Sequence, residues 1–304
     1  MVADAALQGV ILTVAVCLGI LGNIPVIVSI CQKRSLLKSN HYYLILHLAI
    51  CDFFYLIFFI PDIISIFRVS PSIASSSYLL CKTSGPVHTT VFTAGANFLV
   101  IISILRYRAT VYPFKPAVSR RTLKISSTAV YLFAIICSIP HMLVLRFDEI
   151  SGCSIKWPMQ SLNIAYTLFL SGIQYFIPVA FLSIIYYKIG KVILTRNNRN
   201  QSMDARNQIR QQNTPTSHER LKNVKPLFVC FTIVVCFTVF GFPAQVLWII
   251  FVSASKEIPS YFLLLHALYI FGTAAINPYV YGALDKKVLS LFKHCKKRRS
   301  NSSS

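Results

Sequence analysis

"ISILRYRATVYPFKP", residues 102–116, decides how the chain is read. An apolar run stops at Arg106, a second arginine follows at Arg108, and an aromatic stretch broken by prolines comes next. Leu105 precedes Arg106, so no carboxylate stands beside the guanidinium in sequence. Whether this marks the end of a membrane span depends on the rest of the chain.

Of the 304 residues, 55% are hydrophobic and only 13% are charged. Soluble domains carry about 25% charge, so the composition points to a membrane. Apolar stretches cover about residues 7–31, 42–67, 78–108, 121–145, 164–193, 221–252 and 260–283. Each reaches the roughly 20 residues that a helix needs to cross ~30 Å of hydrocarbon. Backbone groups find no water there, so the segments are expected to be helices. The short alternating pattern of a membrane barrel is absent. The fold class is therefore all-α, an integral membrane seven-transmembrane helix bundle. Its segments are called spans 1 to 7. Span 3 is the least apolar and is expected to be central.

Of the 30 Lys and Arg residues, 25 fall on the side that holds the segments after spans 1, 3, 5 and 7. That side is cytoplasmic by the positive-inside rule. The N-terminus is then extracellular and the C-terminus cytoplasmic, in a multi-pass protein of the plasma membrane. The net charge of +21 suits membrane lipids with anionic headgroups and acidic protein partners, and nucleic acid is not the reading. Residues 196–220 are polar and Asn/Gln-rich, which predicts a flexible cytoplasmic loop. Residues 297–304 read as a disordered tail. Cys81 and Cys153 both fall on the outer, oxidising side and are expected to form a disulfide.

Further markers recur in order: Gly22-Asn23 on span 1, "LAICD" ending at Asp52 on span 2, and Cys81 and Arg106 at opposite ends of span 3. They continue with Pro178 and Tyr186 on span 5, Phe237 and Pro243 on span 6, and "NPYVY" (Asn277 to Tyr281) on span 7. This set resembles the rhodopsin-like class of G-protein-coupled receptors over about residues 8–296. The loop "RYRATVYPFKPAVSRR" is similar to that of neuropeptide receptors, the tachykinin-like group in particular.

The resemblance implies a receptor that binds an extracellular ligand and activates heterotrimeric G proteins. Its coupling and switch residues would be Arg106, Tyr107, Pro113, Tyr186, Phe237, Pro243, Asn277, Pro278 and Tyr281. It implies that Arg106 is restrained by acids at rest and packs under the G-protein helix once released. Leu105 and Asn223 stand where those acids are expected. Arg106 is therefore expected to be held loosely, with raised basal signalling. Asn23, Asp52 and Asn277 read either as a structural polar knot or as the family's sodium and water pocket. In that pocket Gly95 replaces the usual span-3 serine. No other metal is implied. Residues 285–295 show helical apolar spacing, which predicts a short amphipathic eighth helix on the inner leaflet. Cys295 at its end is either palmitoylated or a free thiol.

The family's span-6 tryptophan is replaced by Gly241, and Phe240 or Phe242 is expected to substitute for it in part. Retinal is argued against because Phe271 occupies the position of the retinal-bearing lysine. A biogenic amine is argued against because His88 occupies the position of the amine-pairing acid. A neuropeptide is the preferred ligand and a small non-amine ligand the alternative. The cavity is expected to be lined by Asp62, His88, Gln174, Gln245, Trp248, His266 and Tyr269, although both histidines also read as ordinary core residues. A secondary transporter is the competing class, but no inverted repeats appear. No hydrolase motif occurs, so no enzyme activity is expected.

Overall fold

A computed structural model describes residues 2–61, 63, 67, 78–148, 152–207, 217–254 and 262–284. Span 1 is the helix Val2–Gln32, and span 2 is Asn40–Ile57, joined to it through the short helix Arg34–Leu37. Span 3 is Tyr78–Val111 and span 4 is Arg120–Val144. Span 5 runs as Gln160–Ser171, a π-helical turn Gly172–Phe176, then Ile177–Asn207. Span 6 is Ser217–Ala254. Span 7 runs as Phe262–Ile270, a second π-helical turn Phe271–Ala275, then Asn277–Leu284.

Among the described residues, five helices, those of spans 1, 3, 4, 5 and 6, are long and apolar enough to cross a membrane on their own. The other two are interrupted for local reasons. Span 2 leaves the helix at Phe58 and Phe59, just before Pro61, which has no N–H to donate to the preceding turn. Span 7 is broken by its π-turn, one turn before Pro278. Span 4 begins where a cap allows it: the Ser119 hydroxyl accepts from the backbone N–H of Thr122 at 3.1 Å, satisfying one of the helix's free donors.

Span 3 is the central helix, as its lower hydropathy suggested. Its apolar window is 56% buried, against 28–39% for the other four long helices. It packs on spans 2, 4 and 5 through Ala94, Gly95, Ala96, Phe98 and Leu99. Large apolar side chains such as Leu21, Ile136 and Tyr187 point outward and are exposed. In a membrane those faces meet lipid, which is as apolar as they are.

Two apolar clusters stack along the bundle. One holds Leu12, Tyr55, Phe59 and Ala274; the other holds Val26, Leu48, Phe98 and Val280. Asn23, Asp52 and Asn277 lie between them in sequence on spans 1, 2 and 7, and all three are buried.

The bundle is all-α as expected, with one short hairpin in the segment between spans 4 and 5: Leu145–Asp148 (β1) pairs antiparallel with Gly152–Ile155 (β2), with Phe147 opposite Cys153. The Cys81–Cys153 disulfide ties this hairpin to the top of span 3. The stretch 196–220, expected to be a loop, is helical as far as Asn207 and again from Ser217. A helix once nucleated propagates cheaply through such residues, and the helix breaker Pro215 lies beyond both ends. The amphipathic helix 285–295, Cys295 and the tail 297–304 lie outside the described residues.

Candidate functional site

The polar knot forms, but with a different wiring from the one expected. Asn277 Nδ2 donates to Asp52 Oδ2 at 2.8 Å and to the Thr273 carbonyl at 2.8 Å. Asn23 does not reach Asp52. Its Nδ2 donates to the Gly19 carbonyl at 2.9 Å and to the Ala274 carbonyl at 3.2 Å. Ala274 is four residues before Pro278, so proline removes the N–H that this carbonyl would otherwise accept. Span 1 supplies the replacement.

Beside Asp52 is a cavity of about 20 Å³, lined by Asp52, Cys51, Gly95, Phe237, Thr273 and Asn277 among others. That is room for about one water molecule. Asn277 Oδ1 is buried with no hydrogen-bond partner among the described residues. A side chain at position 95 would begin 4.0 Å from Asp52 Oδ1, and glycine leaves that wall bare. A carboxylate, an unpartnered amide oxygen and the Thr273 hydroxyl suit a small hydrated cation, with one oxygen fewer than a serine at 95 would supply.

At the far end of span 3 from Cys81, no acid among the described residues meets Arg106, and a histidine does. Arg106 Nη2 donates to His41 Nε2 on span 2 at 2.6 Å. The signal was an ionisable residue at the start of span 2, but nothing local linked it to a residue 65 positions away. Tyr107 meets the edge of Tyr112 at 6.1 Å between ring centroids. Pro113 is exposed in the loop that follows. Tyr186 is buried on span 5 and faces Phe231 of span 6 at 5.8 Å. Pro243 is exposed, whereas Pro278 is buried. The side chain of Tyr281 lies outside the described residues.

Phe237 is buried against Tyr175, with centroids 5.6 Å apart. Neither Phe240 nor Phe242 fills the space at Gly241. Phe240 lies against Gly272 and meets Phe271 at 6.3 Å, and Phe242 is exposed. The ring against Gly241 belongs to Tyr175, a residue that sequence reasoning missed.

Four of the expected cavity residues come together toward the Cys81 end of span 3. His88 stacks on Tyr55 at 4.3 Å and meets the edge of Phe59 at 4.7 Å. His266 lies 5.2 Å from Phe59 and 5.8 Å from Tyr269. Gln245 Nε2 donates to the Tyr269 hydroxyl at 3.1 Å. His88 Nε2 is buried without a hydrogen-bond partner among the described residues. The aromatic members Tyr55, Phe59 and Phe92 were not foreseen. Helical spacing from Asp52 could have placed Tyr55 and Phe59 above it on span 2.

Two more expected residues adjoin this cluster through neighbours, Gln174 through Thr89 beside His88 and Trp248 through Phe262 beside His266. Gln174 is a tie between spans 5 and 3, donating to Thr93 Oγ1 at 2.7 Å. Trp248 is 40% exposed and stacks on Phe262 at 5.9 Å. Asp62 lies outside the described residues.

This layout can be set beside known proteins. The neuropeptide Y receptor type 6 of Oryctolagus cuniculus is 26% identical over 309 aligned positions, covering 93% of this chain and 79% of that receptor. The neuropeptide S receptor of Mus musculus is 28% identical, covering 60% of this chain and 50% of that receptor. Prokineticin receptor 2 of Bos taurus is 26% identical, covering 62% and 50%. The family model described as 7 transmembrane receptor (rhodopsin family) matches residues 22–281, from Gly22 on span 1 to Tyr281 on span 7. With that match over most of its length and the seven helices in place, the chain belongs to the rhodopsin family of seven-transmembrane receptors.

Proposed function

We propose that this receptor sits in the plasma membrane with its N-terminus outside, binds an extracellular neuropeptide and activates heterotrimeric G proteins at its cytoplasmic face. One observation carries the reading. The only contact holding Arg106 that the described hydrogen bonds record is with an uncharged imidazole on a neighbouring helix, so the guanidinium is held at the inner end of span 3 by a bond that can be exchanged. Hydrogen bonds involving one charged group are weaker than ion pairs with a carboxylate. The resting state is therefore restrained, but less than an acid at position 105 would restrain it, and basal output above that of an acid-bearing variant is expected.

The peptide reading draws on the names of the relatives and on the outer aromatic cluster. Tyr55, Phe59, His88, His266 and Tyr269 offer ring faces and neutral hydrogen-bonding groups, with no carboxylate among them. Such a surface suits the aromatic or amide end of a peptide more than a primary amine. A sodium ion is proposed at Asp52, held by Asp52 Oδ1 and Asn277 Oδ1.

The test is nucleotide exchange on a panel of purified heterotrimeric G proteins, using the full receptor in lipid nanodiscs against a neuropeptide library. Stimulation by wild type that disappears in Arg106→Ala supports the reading. Stimulation by no peptide, with basal exchange equal to empty nanodiscs across the panel, counts against it.

A further inference from the structure

We infer that Tyr175 supplies from span 5 the aromatic ring that span 6 lacks at Gly241, and that it is the positioning residue that clamps span 6 in its resting place. This rests on the receptor reading for its consequence, but not for its geometry.

Tyr175 is 1% exposed and lies in the π-helical turn Gly172–Phe176. A π-turn inserts one extra residue into a helix and re-aims the side chains in it, and such turns gather at functional sites. Here the turn sends the phenol ring onto the bare backbone of span 6. A Cβ placed on Gly241 would collide with Tyr175 Cε2 and lie 3.1 Å from Cδ2. Position 241 can therefore be only glycine while Tyr175 stays where it is.

The ring does more than fill space. Its hydroxyl donates to the Thr238 carbonyl at 2.6 Å, and its face is tilted 34° against Phe237. Thr238, Gly241 and Pro243 lie within two successive turns of span 6. Pro243 leaves the Val239 carbonyl without its helical N–H, so the helix is softest in this turn. Tyr175 grips the helix at its hinge, by a ring below the glycine and a hydrogen bond to the carbonyl row.

The same π-turn is anchored on the other side. Gln174, the preceding residue, donates to Thr93 Oγ1 at 2.7 Å and to the Thr89 carbonyl at 3.5 Å on span 3. Thr89 follows His88 of the outer aromatic cluster. A displacement of span 3 at His88 therefore acts through Gln174 on the turn that carries Tyr175, and through Tyr175 on the hinge of span 6. Phe240 and Phe242 face Gly272 and the exterior and take no part in this path.

The test uses the purified full-length receptor and hydrogen exchange across residues 231–245. Tyr175→Phe keeps the ring and removes only the hydroxyl. Its thermal midpoint should stay near wild type, while exchange in span 6 rises roughly five-fold, the factor one ordinary hydrogen bond supplies. A purely packing role for Tyr175 would leave exchange unchanged, and that result overturns the proposal. In a second measurement, Gly241→Trp should reach the cell surface poorly because it overpacks against Tyr175. The double variant Tyr175→Ala/Gly241→Trp should recover surface expression by filling the same space from span 6. Wild-type expression of Gly241→Trp alone, or no recovery in the double variant, also overturns it. Neither readout needs a G protein. Basal second-messenger output is measured in parallel, and output that is flat in every variant counts against the receptor reading while exchange and expression still decide the role of Tyr175.

Discussion

Arg106 on span 3 and His41 on span 2 meet end to end, with guanidinium Nη2 donating to imidazole Nε2 over 2.6 Å. Leu105 offers no carboxylate, and the bond to the histidine is the contact proposed to restrain Arg106. A hydrogen bond with one charged partner contributes about 1.5–3 kcal/mol. Removing it in His41→Ala should shift the resting equilibrium toward release of Arg106 by about tenfold or more. Basal second-messenger output at matched surface expression should rise accordingly. Leu105→Asp should lower it below wild type, and Arg106→Ala should abolish it in either background. Equal output from wild type and His41→Ala would show that the contact does not restrain the receptor.

Asn23 takes the place of the amide that Pro278 lacks, by donating to the Ala274 carbonyl at 3.2 Å. Asn23→Ala leaves that buried carbonyl without its donor from span 1, at a cost of about 1–3 kcal/mol. The thermal midpoint of the purified receptor should fall by several degrees. Pro278→Ala offers a backbone N–H to the same carbonyl, so the two changes should not add. A double-mutant cycle on thermal stability should give a coupling of at least about 0.5 kcal/mol. Strict additivity would mean that the two groups do not share Ala274.

Gly95 leaves bare the wall of the 20 Å³ cavity that faces Asp52. In Gly95→Ser the hydroxyl adds one oxygen to the two or three already present. Replacing potassium by sodium at constant ionic strength should raise the melting midpoint more in Gly95→Ser than in wild type. Asp52→Asn should remove the sodium dependence in both. A sodium effect that survives Asp52→Asn would place the ion elsewhere.

Cys81 and Cys153 join the outer hairpin to span 3 across a sequence separation of 72 residues. A cross-link over a loop of that length contributes roughly 2–5 kcal/mol. Cys153→Ser should therefore reduce surface expression several-fold. Cys81→Ser should do the same, and the double variant should be no worse than either single one. A double variant clearly worse than both would show that each thiol has a further role.

The seven spans and the Cys81–Cys153 pair were legible in the sequence, because a bilayer imposes a rule that acts along the chain. Hydrocarbon thickness sets a length and the absence of water demands helix. The polar residues Asn23, Asp52 and Asn277 announced themselves in the same way, as costly groups in an apolar medium. Which group answers which was not legible. Asn23 was grouped with Asp52 and Asn277, and its hydrogen bond across the bundle goes to the Ala274 carbonyl. Arg106 was expected to lack an acidic partner, but that His41 would meet it was not foreseen. Gly241 revealed a vacancy in span 6, but a glycine does not say what fills it, and the ring came from Tyr175 on another helix. Such pairings depend on helix rotation and on local changes of winding such as the π-turn at Gly172–Phe176. Those are settled by packing among all seven helices together, which is why only the tertiary structure decided them.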